Sequence, residues 1–161
     1  DVNVEVSLSQ RGQKTWVRLG SGICGCIMAR DLLGLKTEIV GVQSTEAPAY
    51  ALSLKAGKAV STNSADTFAD GMATRVPDEE ALAIIMKGVS RIVLVSDDAV
   101  AEAVRAYWTD THNLAEGAGA AALAAAMQER DANRGKRIGL VLSGGNIDLA
   151  LFRSRIMGVA A

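Results

Sequence analysis

Two glycine-rich turns are the places in this sequence where chemistry can gather. The first is Gly20-Ser21-Gly22-Ile23-Cys24-Gly25, set between a strand-like run, Thr15 to Leu19, and a helical pattern ending near Leu33. Backbone N–H groups at a helix start, unobstructed by side chains, form a cradle for phosphate. The competing explanation is a tight turn in which Gly22 and Gly25 let helix and sheet approach. The spacing is neither a dinucleotide fingerprint nor a P-loop, because no Gly-Lys-Ser/Thr follows. The second turn, Ser143-Gly144-Gly145-Asn146, follows the run Arg137 to Leu142. A serine at a strand end beside two glycines can turn its hydroxyl into an open cleft, toward a ring nitrogen for instance. Serine is also an ordinary turn residue.

Other candidates are weaker. His112 is the sole histidine and closes a helical run, where it suits the helix dipole better than base catalysis. Glu116 opens an alanine-rich helix, where a negative charge is favourable without any further role. Cys24 and Cys26 match no zinc spacing and read as small buried hydrophobes. No Ser-His-Asp set and no metal-ligand cluster can be assembled, so no catalytic residue and no metal ligand is assigned.

The elements that must position these turns alternate. Strands are expected at Thr15–Leu19, Thr37–Val42, Arg91–Val95 and Arg137–Leu142. Helices are expected at Ile23–Leu33, Ala47–Ala56, Asp78–Lys87, after Ser96 to Trp108, at Glu116–Arg130 and at Leu149–Ile156. Lys58 to Thr74 lacks a period and is read as a long functional loop. Strands separated by helical crossovers predict an α/β fold, an open and mostly parallel twisted sheet with helices on both faces. In such sheets ligands collect at the carboxyl ends of strands.

Composition bounds the rest. A chain of 161 residues that is 49% hydrophobic can build one domain with a real core, filled mainly by aliphatic residues since aromatics are only 4%. A net charge of −1 without charge blocks gives no footprint for nucleic acid or a membrane surface. No run reaches membrane-spanning length, and a cytoplasmic location is expected. The first residue is Asp1; the chain is expected to be trimmed or to be a piece of something longer.

Taken together, Gly20–Gly25, Ala69-Asp70-Gly71-Met72-Ala73, Glu116-Gly117-Ala118-Gly119-Ala120-Ala121 and Leu142-Ser143-Gly144-Gly145-Asn146 resemble, in order and separation, motifs of threonine (serine) dehydratases. These belong to the fold-type-II enzymes that use pyridoxal phosphate (PLP). The resemblance runs from about Trp16 to Gly158. It implies a three-layer, Rossmann-like large-domain piece over residues 15–158, preceded by a divergent segment at 1–14. It implies PLP as cofactor, with its phosphate on Gly20, Ser21, Gly22 and Ile23, its ring nitrogen on Ser143, Glu116 near its face and Gly71 lining the pocket. The family reaction converts threonine or serine to a 2-oxo acid and ammonia.

The departures from the family pattern carry equal weight. The Schiff-base lysine and the small domain that follows it have no counterpart here. Ser7-Leu8-Ser9-Gln10-Arg11-Gly12 echoes the lysine segment only faintly, with Ser9 at the lysine place. Arg18 stands where the glycine loop normally starts, and it could reach the phosphate or block it. Gln43 stands where the family places an acid for a divalent cation, and Glu46 is close but out of position. The expectation is therefore a chain that is catalytically silent by itself. Two alternatives stand beside it: half of a split enzyme completed by a partner chain, or a binding and assembly module without cofactor chemistry. Uncovered apolar surface predicts a homo-oligomer.

Overall fold

The computed structural model describes residues 13–159. The Ser7-to-Gly12 segment lies outside them. Among the described residues four strands form one parallel sheet: β1 (Gln13–Arg18), β2 (Glu38–Ser44), β3 (Arg91–Val95) and β4 (Arg137–Leu140), in the order β3-β2-β1-β4. The connections step outward from β1 to β2 to β3, then return to the other side of β1. The reversal falls between β1 and β4, the kind of switch point at which open α/β sheets hold ligands.

The helices are α1 (Ser21–Leu32), α2 (Ala49–Ala56), α3 (Glu79–Gly88), α4 (Asp97–Thr111), α5 (Gly117–Gln128) and α6 (Leu149–Leu151), the last continuing as a π-helical turn, Phe152–Ile156. Strand side chains alternate between faces. Trp16, Val40, Val42, Val93 and Val95 join one core with α4 and α5, whereas Val17, Leu19 and Ile39 join another with α1 and α3. Helices therefore cover both faces. Caps are local and legible: Asp78 accepts from the Ala81 N–H at the start of α3, and Ser96 from the Ala99 N–H at the start of α4. His112 ends α4 in the left-handed region, at φ 58°.

α5 owes its position to its small side chains. Its buried residues, Gly117 to Ala122 with Ala124 and Ala125, are all alanine or glycine. No bulky group holds it away from the sheet, and Trp16, wholly buried, supplies the volume those alanines lack.

At the amino end of the sheet Glu38 is held by Lys14 at 3.0 Å, by Arg91 at 3.3 Å and by the Ser90 hydroxyl at 3.1 Å. Burial works to raise its pKa. The Lys14 and Ser90 hydrogen bonds and the two cationic charges outweigh it, leaving the carboxyl below its ordinary value. A carboxylate depressed in the folded state stabilises the fold above its unfolded pKa, and that contribution is lost as pH falls through the folded value. Thermal melts from neutral pH down through the acidic range below the usual glutamate titration should show the loss, and Glu38→Gln should flatten that part of the profile. An unchanged profile in the variant would remove Glu38 from the account.

Candidate functional site at the carboxyl ends of the strands

Gly20 leaves β1 with φ 129° and ψ −155°, a conformation that side chains rarely adopt. A β-carbon added there, or at Gly25, would meet nothing within 4 Å, and one at Gly22 would meet only Val17 at 3.7 Å. Close helix–sheet packing, the alternative expected for Gly22 and Gly25, is therefore not what these glycines provide. Their effect is to leave the start of a 12-residue helix bare. Ser21 and Gly22 are exposed, Ile23 is buried beneath them, and no side chain caps the helix. This is the arrangement in which helix N–H groups attract an anion.

The Ser143 turn stands beside it. The Val141 N–H donates to the Trp16 carbonyl at 3.2 Å, which extends the pairing of β1 and β4 past Leu140. Arg18 and Ser143 thereby become neighbours on one rim. Arg18 Nε donates to Ser143 Oγ at 3.0 Å and its Nη1 to the Gly71 carbonyl at 2.8 Å. The Ser143 side chain is exposed, and its oxygen accepts from the guanidinium, which leaves its own O–H free to donate. Of the two roles open to Arg18, the hydrogen bonds go across the crevice and not into the glycine turn. Gly71 lies in a short 3-10 turn, Asp70–Met72, where a β-carbon would come within 2.7 Å of Ala118 Cβ. The loop behind it is tied to the start of α4, since Asp97 accepts from the Thr67 hydroxyl at 2.6 Å and the Phe68 N–H at 3.1 Å.

Glu116 turns toward the Ser143 loop. Its Oε2 accepts from the Asn146 N–H at 3.2 Å, and its own N–H donates to the Gly144 carbonyl at 3.0 Å. A β-carbon on Gly144 would lie 2.6 Å from the Glu116 carboxylate, and one on Gly119 would lie 2.3 Å from the Gly144 oxygen. The Glu116-Gly117-Ala118-Gly119 helix start and the Ser143-Gly144-Gly145-Asn146 turn are thus shaped to one another. Sequence reasoning missed this, although the pairing of a Gly-Ala-Gly helix start with a Gly-Gly turn was a signal for it.

The remaining candidates lie outside this arrangement. His112 is exposed at the end of α4. Gln43 is buried, and its Oε1 accepts from the Ala51 N–H at 3.0 Å, so it serves the first turn of α2. Both cysteines are free; Cys24 is buried, but Cys26 is only half-buried, short of the expected burial. Burial pushes both thiols up, with the Asp78 charge adding to it at Cys24, so neither is a ready nucleophile. The lysines are placed most tellingly. Lys14, Lys36, Lys87 and Lys136 stand at or just before the amino ends of β1 to β4, and Lys55 and Lys58 at the end of α2. None is on the rim that carries the two turns.

Residues 15–144 match the family model described as pyridoxal-phosphate dependent enzyme. The chain belongs to this family. It is 33% identical over 135 residues to an L-threonine ammonia-lyase of Thermotoga maritima, an alignment covering 83% of this chain and 33% of that protein. A second L-threonine ammonia-lyase, from Geobacter sulfurreducens, is 40% identical over 111 residues, covering 69% and 28% of the two chains. Among solved structures it superposes on a T.th. threonine deaminase with a TM-score of 0.77 at 32% identity, covering 84% of this chain and 50% of the other. The processed threonine deaminase isoform 2 of Solanum lycopersicum gives 0.83 at 28% identity, covering 91% and 41%. The chain thus spans about a third of the curated relatives and half or less of those solved chains.

Against this membership the side chains can be weighed as a PLP site. The bare start of α1 fits a phosphate. At the opposite end Ser143 keeps its O–H donor, but the Arg18 guanidinium spans from Ser143 Oγ to the Gly71 carbonyl, and no lysine amine is on the rim to join an aldehyde. As a donor set for the whole cofactor the described residues are mismatched.

Proposed function

We propose that this chain is the phosphate-gripping part of a threonine or serine ammonia-lyase fold and does not itself turn over an amino acid. The observation that carries the reading is the separation of parts. The glycine turn and Ser143 share a rim at the switch point, while every lysine of the sequence lies away from it. In this chemistry the cofactor supplies the electron sink, and the protein must supply a lysine to hold it and pass protons.

The test is direct. The full chain with PLP and L-threonine or L-serine should form no 2-oxo acid above a protein-free control. Product at a rate proportional to protein concentration would overturn the proposal. A second reading, completion by a separate chain bearing the lysine, is favoured by uncovered surface. β4 has only β1 as a partner among the described strands, and α1 turns Met28, Leu32 and its neighbour Leu33 outward. Oxo-acid formation on co-expression with such a chain would support it. The expected homo-oligomer would use the same surface.

A further inference from the structure

Apart from the missing rim lysine, the misfit between this crevice and the family cofactor lies in one residue. We propose that Arg18 is a clasp built into the fold, holding the crevice shut against the ring of a pyridoxal-type ligand while leaving the phosphate grip free. The proposal rests on reading the Gly20 turn as that grip.

A single guanidinium ties together three segments distant in sequence: the end of β1, the Gly71 turn and the loop after β4. It also packs directly on the Gly71 backbone. A β-carbon there would sit 3.6 Å from Nη1 and 3.7 Å from Cζ, so a larger residue at 71 would crowd both the clasp and α5. Both contacts are charge-assisted, and an arginine does not lose its charge at any ordinary pH, so titration does not release them. The Ser143 O–H can still donate while its oxygen accepts from Arg18. The obstacle to a ring is therefore the guanidinium itself, which spans from Ser143 to Gly71 and must move for a ring to enter between them. An anion at the start of α1 does not require that movement, because no hydrogen bond from Arg18 enters that turn. The clasp therefore separates ligands by whether they carry a ring behind the phosphate.

Equilibrium dialysis with pyridoxine 5′-phosphate and with inorganic phosphate tests this. Pyridoxine 5′-phosphate has ring and phosphate but no aldehyde, so it cannot couple to exposed lysines. The full chain would be compared with Arg18→Gly, and with Arg18→Met in case the glycine variant fails to fold. Both variants should bind pyridoxine 5′-phosphate roughly tenfold tighter or more, the range expected when a ligand no longer competes with charge-assisted hydrogen bonds. Inorganic phosphate should bind the variants no more tightly than the parent chain. Equal affinity of all three proteins for pyridoxine 5′-phosphate would overturn the clasp and leave the phosphate grip standing. No binding of either ligand to any of them would overturn both.

Discussion

Replacing Trp16 with alanine is expected to lower folding stability by roughly 3–5 kcal/mol, read as a lower urea midpoint. The indole is fully buried in the middle of β1, with Val40 and Leu140 beside it in register. It faces α5, whose fully buried side chains stop at the β-carbon, so on that helix only the partly buried Leu123 and Met127 are long enough to lean toward the space. The Arg91 guanidinium, 5.4 Å over the ring, would lose its aromatic partner as well. The indole N–H is buried without a hydrogen-bond partner. Trp16→Phe, which removes that unpaired donor and keeps an aromatic ring, should therefore cost much less than alanine. A phenylalanine variant as unstable as the alanine one would mean that a single six-membered ring cannot hold this space and that the full indole volume carries the stability.

Gly119→Val should be the most damaging change near the candidate site, costing about 1–3 kcal/mol or more by overpacking. Its β-carbon would fall 2.3 Å from the Gly144 carbonyl oxygen and 3.0 Å from the Gly144 nitrogen, and backbone cannot step aside as a flexible side chain can. The loop after β4 must lift from α5, taking Ser143 away from Arg18. Amide exchange at Glu116 and Asn146, both bonded across this junction, should quicken while pairs between β2 and β3 stay protected. Gly25→Ala is the matched control. It adds a β-carbon in open space inside α1 and should be neutral or stabilise by up to about 1 kcal/mol. Equal damage from both would show that glycine content, and not the fit of α5 to the loop, governs these motifs.

The elements were legible where their signals are local. Arg91–Val95 is a β-branched run closed by a serine cap, and it forms the expected strand. α4 runs beyond Trp108 to Thr111, and His112, read from the sequence as closing a helical run, takes the left-handed turn that ends it. Arg137–Leu142 is regular strand only to Leu140, with one further bond to β1 from the Val141 N–H before the chain enters the glycine turn. The juxtaposition of the two turns was only implied by resemblance, since it depends on β4 returning to the side of β1 opposite β2, a non-local choice. The partners of Arg18 and Glu116 were hidden for another reason. A long side chain at a strand end can point along either crevice wall, and spacing says nothing of which acceptors it meets.

The strand order also bears on how the molecule would survive a cut. Lys58, Asn63 and Ser64 are exposed in the long loop, which separates β1 and β2 from β3 and β4 along the chain. In the sheet, however, the first pair is flanked on both sides by the second, β3 against β2 and β4 against β1. A protease nicking that loop would yield two fragments clamped together like interlaced fingers, parting only in denaturant. The same interleaving means that neither fragment expressed alone has a complete sheet to fold, while the two supplied together can complement.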